Sequence, residues 1–480
     1  MRLAGAFAGA LALTAAAGCA TVPVERTFDE AAADAAGRVG ARLEWADVSA
    51  PAADVEAAVV ELLARPLDAD GAVQVALLHN RRLQAAYAEL GRAAAAATGA
   101  GLPPNPFLEI VARFRDGGGT PRLEISIVEE IVDLFLLPAR RRLAAVELAR
   151  AKVDLAAGVV DLVAETRTAF LRYQAERQLL ALDRHALLSV EAAWEMAGHL
   201  REAGNLSELD LLAERDLYEG MRLEVSRREL AVADLRESLN QRMGLWGEAA
   251  TAWTAGERLP DLPAADGSPG DPETAALDRS LDLAAALLDL EAAARRLGIA
   301  DVTAVFPEVE VGAEGEREGE DTPSDADGEW WVGPSVGFRL PVFDAGRARR
   351  VGARMELRRE WDRLAALGVE LRAAARRSAA RVDFARAHAL HVRDVLLPVR
   401  TAVTEQTQLH YNAMFLGVFR LLDAKRREIG AARAWVEALR DYWLARAELD
   451  RLLAGRLPAD PGARRDAGPA PGDPGRGEGH

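Results

Sequence analysis

Residues 80–94 read NRRLQAAYAELGRAA, and residues 280–294 read SLDLAAALLDLEAAA. Leu83, Ala85, Ala86, Leu90, Ala93 and Ala94 return two hundred positions later as Leu283, Ala285, Ala286, Leu290, Ala293 and Ala294. Each helical stretch runs into a proline-containing break and then an alternating stretch, PNPFLEIVARF at 104–114 and VFPEVEVGAE at 305–314. A glycine-containing loop, a second alternating stretch and an arginine cluster follow in both cases. The clusters are Arg140, Arg141 and Arg142 in the first, and Arg347, Arg349 and Arg350 in the second. A sequence repeated at this scale implies two copies of one supersecondary unit, which fixes the architecture before any single motif does.

Each half therefore reads helix, strand, loop, strand, very long helix, break, helix. The first repeat covers residues 67–246, with strands at about 105–115 and 122–131 and a helical hairpin over 138–245. The second covers 272–456, with strands at about 305–315 and 330–342 and a hairpin over 344–456. The first long helix breaks at Ala203, Gly204 and Asn205 and restarts near Ser207; the second breaks between Tyr411 and Gly417. Residues 247–271 are rich in Pro, Gly and Asp and read as a linker, and the tail at 457–480 reads as disordered. A helix of about 60 residues is about 90 Å long, which no small globular domain hides. Leu148, Leu155 and Leu162 recur every seven residues beside Val146, Val153 and Val160, the spacing of a coiled coil.

The N-terminus is of another kind. Arg2, an apolar run and then Gly18-Cys19 form a secretory signal over residues 1–18. Cys19 is the single cysteine and follows small residues, as in a bacterial lipoprotein box, so residues 19–66 read as a lipidated arm of unassigned structure. One cysteine excludes an intrachain disulfide and a multi-cysteine metal site. The net charge of −16 opposes nucleic-acid binding, since phosphate affinity comes from Lys and Arg. A mean hydropathy of −0.05 opposes a polytopic helical membrane protein, and no apolar run of 18 residues follows Cys19.

The four strands alternate apolar and polar residues. Leu108, Ile110 and Ala112 oppose Glu109 and Arg113; Leu123, Ile125 and Ile127 oppose Glu124 and Ser126; Val309, Val311 and Ala313 oppose Glu310 and Glu314. Each is about ten residues, the length of a tilted strand crossing an outer membrane. Trp330 and Trp331 fit an interfacial aromatic girdle. A soluble four-stranded sheet with one wet face gives the same alternation. In lipid, however, an open sheet edge costs several kcal/mol per unpaired backbone group, and the smallest such barrels have about eight strands. Several copies would have to share one barrel. The acidic loop at 315–329 is suited to the exterior.

Three apparent motifs lead elsewhere. Gly333, Ser335 and Gly337 match the G-x-S-x-G elbow of serine hydrolases, but the alternation continues past Ser335 to Val342. The elbow needs a sharp strand-to-helix turn at the serine, whereas the helix here starts after Asp344, a suitable N-cap. The glycines at 117–119 lack the Lys-Ser/Thr of a phosphate loop and read as a hairpin turn. His388 and His391 are three apart on a helix, but zinc takes three or four ligands. No catalytic, cofactor-binding or metal-binding set emerges, and no enzyme is expected.

The duplicated helices, GLPPNPFLEI at 101–110 and above all GPSVGFRLPVFDAGRARR at 333–350 resemble the outer-membrane factor family, the TolC-like channels of bacterial tripartite efflux systems. The last stretch is similar to that family's strand-to-helix signature, carried here by Pro341, Phe343, Asp344, Gly346 and Arg347. The stretches EAGNLSELDLLAERDLYE and YNAMFLGVFRLLDAKRREIG suggest its heavy-metal-efflux branch. The resemblance implies a mostly α protein with a small β part. Three protomers would contribute four strands each to a twelve-stranded barrel, continued by a long α-helical coiled-coil barrel in the periplasm. It implies a homotrimer set in outer-membrane lipid, working as a passive conduit with a periplasmic adaptor and an inner-membrane pump, without cofactor or nucleic acid. Gly204 followed by Asp210 resembles the family's G-x5-D pattern at one hairpin tip; in the second, Met414 takes the glycine's place and Arg420 stands where many members are acidic. Adaptor contact would then fall on Leu206, Ser207, Phe415, Leu416 and Gly417, and Asp210 is either a pore element or a solvated helix residue. A periplasmic coiled-coil adaptor or scaffold lipoprotein is the alternative.

Overall fold

The computed structural model describes residues 22–40, 43, 53–114, 121–265, 270–305, 309–317, 330–340 and 342–458. Cys19, the signal segment, the glycines at 117–119, Pro341 and the tail beyond 458 lie outside them. The chain divides into two compact units, one of Met1–Ala35, Gln84–Ala156 and Leu283–Leu367, the other of Ala36–Leu83, Ala157–Asp282 and Gly368–His480.

The first unit holds the sheet. Strands β1 (Phe107–Arg113), β2 (Arg122–Glu130), β3 (Val309–Arg317) and β4 (Trp330–Phe338) form one antiparallel sheet in the order β1-β2-β3-β4. The strands of the two halves thus meet at the β2–β3 pair, where Ile127 faces Ala313 and Ile125 faces Gly315. Helix α1 (Val24–Val39) also enters this unit; α2 (Ala53–Leu63), α3 (Ala69–His79) and α4 (Arg81–Ala100) precede β1, and α7 (Glu248–Ala252), α8 (Pro272–Arg279) and α9 (Leu281–Val305) precede β3. Thr27 and Ala31 are buried, the Phe28 and Tyr87 rings meet edge-on at 4.9 Å, and Lys152 donates to Glu30 at 2.6 Å. A segment that sequence left unassigned is therefore held by packing.

Four boundaries differ from the sequence reading. The first long helix, α5 (Ile131–Glu202), starts seven residues before Pro138 and carries the proline inside it. Arg140 reaches across it to Asp133. Residues Gly315–Arg317, read as loop, extend β3 because β2 and β4 both offer them hydrogen-bond partners. β4 stops at Phe338 rather than at 342, since Phe338 already faces Val309, the first residue of β3. Asp344 does not cap the following helix, α10 (Arg347–His391). It closes a turn before it, its carboxylate accepting from Gly346 N at 2.9 Å.

The second unit holds the turns of two helical hairpins, whose first helices begin in the first unit, and a core of Phe170, Tyr173, Leu239, Met243 and Trp253. The first hairpin is α5 with α6 (Glu208–Met243). The second is α10, a π-helical turn at Val392–Leu396, α11 (Leu397–Asn412) and α12 (Val418–Leu453). The π turn falls just before Pro398, whose missing N–H removes one α-helical bond; such turns are a recognised way for a helix to absorb that defect. Among the described residues no helix is long and apolar enough to cross a membrane.

The stretch read as a linker is a fastened strap. Trp253 is buried, donates to Asn240 at 2.8 Å and lies under the Arg236 guanidinium at 4.2 Å. Gln174 donates to the carbonyls of Gly256 and Arg258, Trp443 to Pro260, and Arg386 to Pro263 and Ala264. A proline-rich backbone has few donors of its own, but its carbonyls remain to be satisfied. Side chains from α5, α10 and α12 satisfy them here.

Candidate functional site

The sheet sorts its side chains by register. Partners across strands share a face, and neighbours along a strand alternate. Leu108, Ile110, Ile125, Ile127, Val311, Ala313, Val332, Val336 and Phe338 fall on one face. Leu108, Ile110, Val332, Val336 and Phe338 are all exposed. The opposite face carries Glu109, Glu124, Ser126, Glu310, Glu314, Glu316 and Ser335, with Arg113 2.5 Å from Glu124 and Arg122 paired to Glu316. An exposed face this apolar marks a contact with something other than water. Among the described residues β1 and β4 each pair on one side only.

This register corrects the girdle reading. Trp330 faces Arg317 on the apolar face, but Trp331 faces Glu316 on the polar one. Adjacent residues of one strand cannot both look outward. Ser335 lies mid-strand opposite Gly312, not at an elbow. A Cβ on Gly312 would sit 2.5 Å from the Ile127 carbonyl and 2.8 Å from Ser335 Oγ, so the glycine lets three strands draw together there.

At the strand-to-helix junction Gly346 has φ +67°, and a Cβ on it would lie 2.5 Å from that of Ala304. Both conformation and space therefore demand glycine. Phe343 is fully exposed beside it.

The two hairpin turns use one backbone design. At the end of α5, Asn205 N donates to Leu200 O and Gly204 N to Arg201 O. At the end of α11, Phe415 N donates to His410 O and Met414 N to Tyr411 O. Both are Schellman motifs, with the left-handed residue Gly204 (φ +76°) in one and Met414 (φ +61°) in the other. Ser207 caps α6, accepting from Asp210 N at 3.1 Å and donating to the Asp210 carboxylate at 2.6 Å. Gly417 precedes α12 with no side-chain cap. Asp210, Ser207, Phe415 and Arg420 are exposed, and Leu206 and Leu416 are partly or largely so. His388 stacks on Phe384, and among the described residues no group of three or more His, Cys, Asp or Glu could hold a metal.

One cluster went unnoticed in the sequence. Asp183 of α5 is fully buried and pairs with Arg228 of α6; Arg433 of α12 faces its other oxygen at 3.1 Å, a coulombic rather than well-aligned contact. Arg228 also reaches Glu176 at 2.6 Å. Burial opposes the Arg228 charge, but Asp183 and Glu176 more than offset it, leaving its pKa above the ordinary arginine value. The signal was a lone acidic residue on a helix face, which sequence cannot tell from a solvated one.

No family model matches the chain. Outer membrane protein OprJ of Pseudomonas aeruginosa is 28% identical over 346 residues, covering 68% of either chain. The probable efflux pump outer membrane protein TtgC of Pseudomonas putida is 29% identical over 193 residues, 39% of this chain and 38% of that one. Among solved structures, the outer membrane protein VceC of Vibrio cholerae superposes with a TM-score of 0.63 at 16% identity, over 81% of this chain and 96% of the other. The chain is thus similar in sequence to outer-membrane efflux proteins and has the fold of solved outer-membrane channels.

Proposed function

We propose that this chain is an outer-membrane factor, the outer-membrane channel subunit of a tripartite efflux pump, a passive conduit that works with a periplasmic adaptor and an inner-membrane transporter. The two-faced sheet carries the reading: its apolar face is exposed, its other face is charged, and both outer strands are open. Lipid tolerates such a sheet only when every edge is paired. Three copies supplying four strands each would close a twelve-stranded barrel, with the acidic face inside and the hairpins extending into the periplasm. The two repeats would descend from an internal duplication. The alternative of a periplasmic adaptor or scaffold leaves the apolar face without an occupant.

Purified full-length protein in detergent should have the mass of three chains, migrate differently on heating in a denaturing gel, and conduct in planar bilayers. A water-soluble single-chain species without conductance overturns the reading. Within it, Cys19 is the lipid anchor, to be checked by incorporation of labelled fatty acid and its loss in Cys19→Ser. Gly204, Leu206, Ser207, Phe415, Leu416 and Gly417 are the adaptor-facing turns. Asp210 is the pore element there, so Asp210→Lys should change conductance or cation selectivity. Heavy-metal cations are the cargo class to test first, by the metal sensitivity of a strain lacking the gene.

A further inference from the structure

The apolar sheet face needs a boundary, and the chain marks one end of it. Beyond β4 come Leu340, Val342 and Phe343, all exposed, and then within four residues the start of α10. Arg347, Arg350 and Arg354 stand there at spacings of three and four, one stripe of the helix, with exposed Val351 among them. None of the three has a carboxylate partner among the described residues. Arg350 reaches only the Ala345 carbonyl, at 3.2 Å, and among the described residues Arg347 and Arg354 make no side-chain hydrogen bond or ion pair. In the equivalent cluster of the first repeat two arginines have partners within the protein: Arg140 pairs with Asp133, and Arg141 bonds the Gly101 carbonyl at 2.8 Å. The second junction thus holds more uncompensated arginine than the first, where Arg142 alone of its cluster is without such a bond among the described residues.

We propose that Arg347, Arg350 and Arg354 bind the phosphate of anionic phospholipid headgroups in the leaflet on the hairpin side of the outer membrane. This rests on the sheet being membrane-embedded, as proposed above. The dimensions agree: Arg347 to Arg354 is about 10 Å of helix, comparable with one interfacial layer of about 5–8 Å plus side-chain reach. Phe343 and Val342 enter the acyl boundary just above, and the guanidiniums offer planar, bidentate donors suited to phosphate. An anionic headgroup is the complement of three uncompensated positive charges at the edge of an apolar face.

The test uses full-length protein, delipidated in detergent and offered vesicles of phosphatidylethanolamine alone or mixed with phosphatidylglycerol. Native mass spectrometry should find phosphatidylglycerol retained at least roughly tenfold over phosphatidylethanolamine, with the preference fading as salt rises. Changing Arg347→Gln, Arg350→Gln and Arg354→Gln together should abolish the preference while insertion continues. Arg358→Gln, on the same helix but paired with Asp362, should leave it intact. Equal retention of both lipids by the wild-type protein overturns the proposal, as does equal stabilisation by inorganic phosphate. A triple variant whose trimer weakens in lipid-free detergent assigns the arginines to a neighbouring copy and also overturns it. Failure to insert into either vesicle is a different result: it removes the membrane reading itself.

Discussion

The two hairpin turns close with the same backbone motif and differ in everything that side chains contribute. The first puts glycine at the left-handed position, a serine cap on the returning helix and an aspartate that answers the cap. Arg201 adds a bond to the Leu206 carbonyl at 3.2 Å and a contact with Glu208, also at 3.2 Å. Further along, Trp194 and Tyr218 stack at 5.0 Å across the hairpin. The second puts Met414 at the left-handed position, 93% exposed, leaves the returning helix uncapped and displays Phe415. The difference shows that topology is preserved by backbone bonds alone. Side chains set how firmly each turn holds and what surface it offers. The first turn is fastened; the second is strained and apolar.

The largest expected effect lies where the hairpins are tied together. Asp183 belongs to the first hairpin and meets Arg228 of the same hairpin and Arg433 of the second. Asp183→Ala would remove the buried carboxylate that Arg228 and Arg433 share and leave Arg228 to Glu176 and Glu224, a loss of about 1.5–3 kcal/mol. Amide exchange along α6 and α12 should accelerate together. Acceleration in the first hairpin alone would show that Arg433 contributes nothing to the tie.

Next come the left-handed positions. Nothing lies within 4 Å of a Cβ built on Gly204, so Gly204→Ala isolates the left-handed backbone cost of about 1–2 kcal/mol, less the roughly 0.5–1 kcal/mol that alanine recovers in the unfolded chain. At Gly244, which ends α6, a Cβ would also lie 2.6 Å from the His79 carbonyl. Gly244→Ala should therefore cost more than Gly204→Ala in the same exchange measurement. Equal costs would mean that the neighbouring turn yields.

Ser207→Ala should cost about 1 kcal/mol, read as faster exchange of the first-turn amides of α6. The comparison with the second turn gives that value its meaning. Gly417→Ser, which supplies the missing cap, should slow exchange at the start of α12 by a similar or smaller amount.

How much of this was legible follows the same division between backbone pattern and side-chain context. The recurrent helices and alternating strands were readable because repetition and period are properties of sequence. The places where each long helix turns back were readable for the same reason, since Gly204, Asn205 and Ser207 carry their own conformational preferences. Trp331 was misplaced because an aromatic pair looks like a girdle until alternation is applied to its two members. Pro138 read as a helix start because proline favours a first turn; the helix carries it internally, with Arg140 bonded to Asp133 across it. The strap at 247–271 read as a linker because composition cannot show which side chains will satisfy its carbonyls. Asp183 was invisible for want of its partners, which lie 45 and 250 residues further on.

The smallest effect has the opposite sign. A non-glycine residue in the left-handed region costs about 1–2 kcal/mol, while glycine's greater freedom in the unfolded chain takes back about 0.5–1 kcal/mol. Met414→Gly should therefore stabilise the second turn by a few tenths to about 1 kcal/mol, read as slower exchange of the Met414 and Phe415 amides. The Met414 side chain is almost wholly exposed, so little packing is lost to confuse the result. If the turn gains stability and efflux falls, the strain at Met414 serves the working cycle. If the turn gains stability and efflux is unchanged, methionine is kept there for its surface or merely tolerated, and the two turns differ in firmness without differing in role.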